Sequence, residues 1–325
     1  MSRRSTGDVP QLVERARQGD ARSVARLISL VEDASPLLRE VMAGLAAYAG
    51  KAHVVGLTGS PGVGKSTSTS ALVTALRATG QRVGVLAVDP SSPFSGGALL
   101  GDRVRMQDHV LDRDVYIRSM ASRGHLGGLS WAAPQALRVL DAAGCDVILV
   151  ETVGVGQSEV EVAALADTTL VLVAPGSGDG IQAAKAGILE IGDVFVINKA
   201  DRDGADQTRR ELRSMIALST RPDGAWTPEI VKTVATEGLG AGEVVAAVER
   251  HLDHLRSTGE LDRRRLRRAR GEIEAIAVTT LRQQWRGVHE DAALDDLAAA
   301  VAAGRSDPYT AADQLLAGLD GRDGA

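Results

Sequence analysis

The amino-acid sequence predicts an α/β protein with a mostly parallel sheet, flanked by helical segments at both ends of the chain. Short apolar runs alternate with helical stretches through the centre of the sequence. The runs show no alternation of apolar and polar residues, as expected of strands whose two faces are both covered by helices. Seven such runs are present: Val54–Leu57, Val83–Val88, Val115–Ile117, Val147–Val150, Leu170–Val173, Val194–Ile197 and Ile230–Val234.

Three regions are expected along the chain: residues 1–50, 51–252 and 253–325. In the first, an N-terminal helical extension, the Ser35-Pro36 pair predicts a helix over 36–48, because Ser caps helices and Pro fits their first position. The second holds all the apolar runs and forms the sheet domain. The third lacks strand-like runs, and its spacing of apolar residues predicts a long charged helix over 260–288 and two shorter ones after it.

The composition is that of an ordinary folded protein and argues against several classes. The 325 residues are 44% hydrophobic and 24% charged, which excludes a disordered chain. A net charge of -5 and only 2% aromatic residues argue against nucleic-acid binding, which needs basic patches and stacking rings. Cys145 is the single cysteine, so no disulfide can form within the chain. We expect neither a leader nor a membrane span, and a cytoplasmic location.

A glycine-rich segment after the first apolar run matches the phosphate-binding pattern G-x-x-x-x-G-K-[ST]. The backbone N–H groups of such a loop, together with the positive N-terminal end of the next helix, bind phosphate. We expect Lys65 to reach the β- and γ-phosphates and Ser66 to offer its hydroxyl to Mg²⁺. The predicted phosphate-binding residues are Gly59, Ser60, Pro61, Gly62, Val63, Gly64, Lys65, Ser66 and Thr67.

The residues after the run Val194–Ile197 match the guanine-recognition pattern N-K-x-D, with Asn198, Lys199 and Asp201 in its defined positions. A carboxylate at Asp201 accepts hydrogen bonds from the N1–H and 2-amino groups of guanine, whereas adenine presents an acceptor at N1 and has no 2-amino group. The sequence therefore predicts GTP and GDP as ligands, and not ATP. By position alone, backbone groups after the next run are expected to contact the base: Val234, Ala235 and Thr236.

Acidic residues after two further runs are candidates for metal coordination and catalysis. Glu151 follows Val147–Val150 and takes the place of the aspartate in the D-x-x-G pattern of GTPases, with Gly154 placed to sense the γ-phosphate. The longer glutamate is expected to act on the Mg²⁺ shell through water; the alternative is that metal binding has been lost. Asp89 and Asp102 lie in a Gly-, Pro- and Ser-rich segment that suits metal or water coordination, the alternative being a turn and a helix cap.

Three other features have structural interpretations that need no ligand. Cys145 is expected to be a small buried side chain. His251 and His254, three residues apart, are expected on a solvated helix face. The arginine-rich run 263–270 is flanked by acidic residues, so a salt-bridged helix face is favoured over nucleic-acid binding. The flanking acidic residues are Glu260, Asp262, Glu272 and Glu274.

Together these motifs resemble the MeaB/ArgK/MMAA family of P-loop GTPases, chaperones of adenosylcobalamin-dependent methylmalonyl-CoA mutase. The most specific element is the stretch Glu-Thr-Val-Gly-Val-Gly-Gln-Ser that begins at Glu151. The resemblance implies a G domain, a C-terminal helical arm that forms a homodimer, and GTP hydrolysis that gates cofactor loading of that mutase or a close relative. It also implies a loop at 176–185 that communicates with the mutase. The residues expected in catalysis are Lys65, Asp89, Asp102 and Glu151, and those expected at Mg²⁺ are Ser66, Asp89, Asp102 and Glu151.

Alternatives stay open for both the activity and the C-terminal region. A GTPase metallochaperone for a nickel enzyme shares the domain class but needs a histidine-rich tract or Cys and His ligands, which this sequence lacks. A nucleotide-dependent scaffold would bind GTP and scarcely hydrolyse it. The apolar stripe along the predicted helix 260–288 favours a two-fold dimer, unless that stripe folds back onto the sheet domain.

Overall fold

A computed structural model describes residues 8–90, 109, 111–122, 132–152, 158–176, 188–286 and 292–320. Within these residues seven strands form one sheet, and every neighbouring pair is parallel. The strands are β1 (His53–Gly59), β2 (Val83–Pro90), β3 (Val115–Ser122), β4 (Val147–Thr152), β5 (Thr168–Val173), β6 (Val194–Ile197) and β7 (Glu229–Lys232). Their order is β3-β2-β4-β1-β5-β6-β7, with β1 in the centre. The predicted α/β class with a mostly parallel sheet is confirmed.

Helices cover both faces of the sheet in the described part of the chain. They are α1 (Val9–Arg17), α2 (Ala21–Glu32), α3 (Leu38–Leu45), α4 (Lys65–Ala78), α5 (Ala133–Ala142), α6 (Ser158–Leu165), α7 (Ile188–Ile191), α8 (Ala205–Leu218), α9 (Ala241–Ser257), α10 (Glu260–Arg286), α11 (Ala292–Ala302) and α12 (Pro308–Asp320). One face packs against α4 and α9. The other packs against α5, α6 and α8, and α1–α3 add a further apolar layer beside α5. None of the helices in the described ranges is long and apolar enough to cross a membrane.

The chain divides into two compact units, Met1–Arg268 and Ala269–Ala325. The first contains the sheet, and the second contains most of α10 together with α11 and α12. The three predicted regions, with boundaries after residues 50 and 252, stay a prediction, because compactness alone does not define functional domains.

The helix predicted over 36–48 and the seventh predicted strand are among the elements whose bounds differ in the structure. The helix predicted over 36–48 begins at Leu38, because Ser35 forms a turn in which its carbonyl accepts a hydrogen bond from Leu38 N at 2.9 Å. It also ends early, at Leu45. The seventh strand ends at Lys232, and Val234 forms an isolated antiparallel bridge beyond it.

A buried chain of polar side chains lies where β1 and β5 begin. His53 Nε2 lies 2.7 Å from Thr168 Oγ1, which in turn lies 2.8 Å from His251 Nδ1. The His251 ring has no exposed surface and packs on Trp226, with 5.0 Å between the ring centroids. The prediction of a solvated helix face is therefore wrong for His251, which faces the sheet. Cys145 is buried as predicted.

The arginine-rich run is also more buried than the sequence indicated. Arg264 donates to both carboxylate oxygens of Asp193 at 2.9 and 3.0 Å, and Arg265 and Arg268 pair with Asp167 at 3.1 and 3.3 Å. Asp167 is fully buried, and Asp193 nearly so. The interpretation as a face paired within its own helix is wrong for Arg265 and Arg268, because Asp167 lies at the start of β5. It is incomplete for Arg264, which pairs with Glu260 of its own helix at 3.8 Å as well as with Asp193 at the start of β6. Two others form the expected pairs: Arg263 and Arg267, both with Glu260.

Lowering the pH is expected to destabilise the fold through His53. Burial lowers the pKa of His53 from 6.5 to about 4. Between these values the unfolded chain binds a proton that the folded chain does not, so stability is fully present above about pH 6.5 and is lost as the pH falls, by at most about 3 kcal/mol. Urea unfolding of the wild type and of His53→Gln, measured at several pH values in this window, checks this.

The variant is expected to show the shallower pH dependence, since Gln can still bond to Thr168 but does not titrate. His254→Gln is the control, because His254 is a partly exposed histidine of the same helix as His251 and is not part of the buried chain of His53, Thr168 and His251. If the free energy of unfolding depends on pH equally in the wild type and in His53→Gln, His53 is not the source of the pH dependence.

Candidate nucleotide-binding site

The predicted site residues that the structure describes lie together at one edge of the sheet. The phosphate loop follows β1, Glu151 lies at the end of β4, Asn198 follows β6, and Ala235 follows β7. Because all the strands are parallel, their carboxyl ends meet at this edge, where open α/β sheets bind ligands.

At two positions of the phosphate loop, both the backbone conformation and the close neighbours require glycine. Gly59 and Gly64 have φ of 142° and 96°, in the left-handed region. A Cβ on Gly59 would lie 2.3 Å from Leu172 O, and one on Gly64 would lie 2.5 Å from Asn198 Nδ2. The loop is therefore pressed against β5 on one side and against the guanine motif on the other.

Lys65 is the first residue of α4 and turns back over the loop. Its Nζ donates to Gly59 O at 2.5 Å and to Ser60 O at 3.3 Å, and the residue is buried. An ammonium group held in the middle of the loop is placed where a phosphate oxygen can replace the carbonyl oxygens as its partner.

Glu151, at the end of β4, contacts the N-terminal half of α4 and accepts hydrogen bonds from two hydroxyl groups of that helix. Ser66 Oγ donates to Oε1 at 2.5 Å, and Thr69 Oγ1 donates to Oε2 at 2.7 Å. All three residues are buried. A carboxylate and a serine hydroxyl in contact are oxygen donors of the kind that Mg²⁺ prefers, so this pair fits the cation.

Sequence reasoning missed Thr69, because the phosphate-loop pattern ends before it. The available signal was its spacing: Thr69 follows Ser66 by three residues, and residues three apart share a helix face.

The Asn198 side chain joins the phosphate loop to the segment that was predicted to contact the base. Its Nδ2 donates to Val63 O at 2.8 Å. Its Oδ1 accepts from Thr233 Oγ1 at 3.2 Å and from Ala235 N at 3.1 Å. The Ala235 N–H is therefore already bonded, and base contacts from Val234, Ala235 and Thr236 stay a prediction.

The two other defined residues of the guanine motif, Lys199 and Asp201, follow Asn198 after β6. Lys199 has φ of 56°, and its Nζ donates to Gly62 O at 2.6 Å, which places the lysine stem along the phosphate loop. Asp201 is exposed at the turn that follows. Ala200 N donates to Thr233 O at 3.0 Å, so the turn is attached to the end of β7.

Several predicted residues cannot be placed. Asp102, Gly154 and all of the 176–185 loop except Gly176 lie outside the described residues. The backbone of Asp89 lies within β2, near its carboxyl end and therefore at the same edge as the phosphate loop. The roles predicted for these residues stay predictions.

A parallel sheet with a phosphate loop after its central strand and an N-K-x-D segment after β6 defines a P-loop GTPase fold. A family model described as methylmalonyl-CoA mutase-associated GTPase MeaB matches residues 24–290. The chain belongs to this family of GTP-hydrolysing proteins and is a GTPase.

Individual relatives agree with this assignment. A putative GTPase of Pyrococcus abyssi is 45% identical over 312 residues, which cover 95% of this chain and 96% of the relative. The mouse methylmalonic aciduria type A homolog is 40% identical over 214 residues, which cover 65% of this chain and 52% of the relative. A crystal structure of an LAO/AO transport system kinase superposes with a TM-score of 0.74 and 28% identity, covering 98% of this chain and all of the other.

Replacing Asp201 by Asn is expected to weaken GTP binding. The change puts an amide donor opposite donors of guanine and removes a charge-assisted pair, at a cost of roughly 2–4 kcal/mol, or about 30- to 1000-fold in affinity. Competition titrations with GTP and ATP measure the effect, and Asp203→Asn, an exposed aspartate two residues away, is the control. A wild type that binds ATP as tightly as GTP would show that Asp201 does not select guanine.

Proposed function

We propose that this GTPase is a chaperone of an adenosylcobalamin-dependent acyl-CoA mutase, first of all methylmalonyl-CoA mutase, and that its GTP state gates cofactor loading. The observation that carries the proposal is the family match over residues 24–290, because the family is described by its association with that mutase. The name of the mouse relative, which refers to methylmalonic aciduria, supports the same client.

The chemistry assigned to the site follows from the side chains that meet there. Lys65 is placed to exchange its loop carbonyl partners for phosphate oxygens of GTP, and Ser66 and Glu151 are the residues that would hold Mg²⁺. When bound, Mg²⁺ compensates the negative charge of the phosphates. Asp89 and Asp102 are proposed as further acidic residues around the cation and the attacking water, on the basis of the family resemblance.

Lys65→Ala is expected to lower single-turnover GTP hydrolysis by orders of magnitude, because charge compensation at the phosphates is lost. Lys51→Ala, an exposed lysine outside the loop, is the control and should hydrolyse GTP at the wild-type rate. Equal rates for wild type and Lys65→Ala would remove Lys65 from the catalytic residues.

The client is tested by loading the protein with a non-hydrolysable GTP analogue, capturing bound proteins from the source cell, and measuring hydrolysis with and without the captured mutase. Capture of a cobalamin-dependent mutase that changes the hydrolysis rate supports the proposal. Tight stoichiometric Ni²⁺ binding without mutase capture would favour the metallochaperone alternative. GTP binding with negligible hydrolysis in the presence of the mutase would favour a scaffold.

We also propose a homodimer formed through α10. In the second compact unit this helix exposes Ile273, Ile276 and Leu281, with 69%, 44% and 57% of their surface accessible. An exposed apolar stripe on an otherwise charged helix favours association with a second copy of the same helix. The cytoplasmic location stays a prediction.

Ile273→Glu combined with Ile276→Glu is expected to convert the dimer to a monomer in light scattering without lowering GTP affinity, since charges are costly in an apolar interface. Leu218→Glu is the control, because Leu218 is an exposed apolar residue at the end of α8. A double variant that stays dimeric would place the interface elsewhere.

A further inference from the structure

We infer that Thr69 is a positioning residue of the nucleotide site. Its hydroxyl holds the carboxylate of Glu151 in the orientation that binding of the cation requires. This inference rests on the Mg²⁺ site proposed above. The observation behind it is the hydrogen bond of 2.7 Å from Thr69 Oγ1 to Glu151 Oε2, between two buried side chains.

Among the described residues, the Thr69 hydroxyl has two acceptors within reach, and it has one hydrogen to donate. Besides Glu151 Oε2, it lies 3.1 Å from the carbonyl of Lys65, one turn earlier in α4. The carboxylate is the closer acceptor and carries the charge, so it takes the hydrogen. Lys65 O is the alternative acceptor for the same hydrogen and receives none while the hydroxyl bonds to Glu151.

The two hydroxyl groups of α4 bind different oxygens of Glu151. Ser66 binds Oε1 and Thr69 binds Oε2, so rotation of the carboxylate about its last bond would break both hydrogen bonds. Ser66 can keep this hydrogen bond while a lone pair of its oxygen faces a cation, because a hydroxyl has one donor and two acceptor sites. Thr69 is not proposed as a ligand of the cation, and its role is to hold Glu151 in place.

A glutamate needs this second anchor more than an aspartate would. Its side chain has one more rotatable bond, and each unrestrained bond adds conformations that do not present the carboxylate to the cation. The position of Glu151 is set at the backbone by its pairing with Leu57 in β1 and Ala87 in β2. The carboxylate end is held by α4, and Thr69 lies one turn deeper in that helix than Ser66.

The test compares the affinity for a fluorescent GDP analogue with Mg²⁺ and with EDTA. Thr69→Val preserves shape and removes the hydroxyl; it is expected to reduce the Mg²⁺-dependent gain in affinity about ten-fold, the equivalent of one charge-assisted hydrogen bond. Affinity in EDTA should not change. Thr69→Ser should restore the gain, and Thr69→Ala repeats the test should the valine variant not fold.

The matched control is Thr74→Val, an exposed threonine of the same helix whose hydroxyl, among the described residues, contacts Ser70 O and the His109 ring. It should retain the wild-type gain. If the wild type gains affinity with Mg²⁺ and Thr69→Val gains equally, Thr69 is not a positioning residue, while the proposed cation site stands. If the wild type gains nothing with Mg²⁺, the cation site itself is wrong and the inference falls with it.

Discussion

The Asn198 amide is the interaction on which the rest of the nucleotide site depends. One side chain bonds to the phosphate loop at Val63 and to the end of β7 at Thr233 and Ala235. Its close approach to Gly64 leaves no room for a Cβ there, so the loop conformation and the position of the guanine motif determine each other. The phosphate loop and the segment after β7 are therefore joined in one hydrogen-bonded arrangement through Asn198.

The opposite edge of the sheet is held by a different kind of interaction. Buried carboxylates at the start of β5 and β6 pair with Arg264, Arg265 and Arg268 of α10. Buried ion pairs add little net stability, since desolvation offsets their attraction, but removing one partner is costly because it leaves an uncompensated charge. These pairs therefore fix where α10 begins on the sheet, and the same helix continues to Arg286 in the second compact unit. Asp167 extends this constraint into β1, because it also accepts the N–H of Val54.

The sequence predicted the sheet and the phosphate loop well because both depend on local patterns. Apolar runs of strand length and a glycine spacing are visible without knowing which segments meet. His251 could not be placed in this way: its burial depends on Thr168 and Trp226, which are distant in the sequence. The pairing of Arg264, Arg265 and Arg268 with Asp193 and Asp167 could not be predicted for the same reason. The sequence around the run indicates nearby acidic residues as partners. The buried carboxylates at the start of β5 and β6 are stronger acceptors, and only folding brings them next to the arginines.

Thr69 illustrates a third limit, since neither its residue type nor its place in a motif marks it. A phosphate-loop pattern describes what the loop needs to bind phosphate, and it ends at the residues that touch the nucleotide. Whether a residue one turn further along α4 takes part in the site depends on which side chain of the neighbouring strand contacts it. Glu151 is longer than the aspartate of most GTPases and therefore reaches Thr69 as well as Ser66. The glutamate of β4 and the threonine of α4 thus form one hydrogen-bonded arrangement, which only the fold brings together.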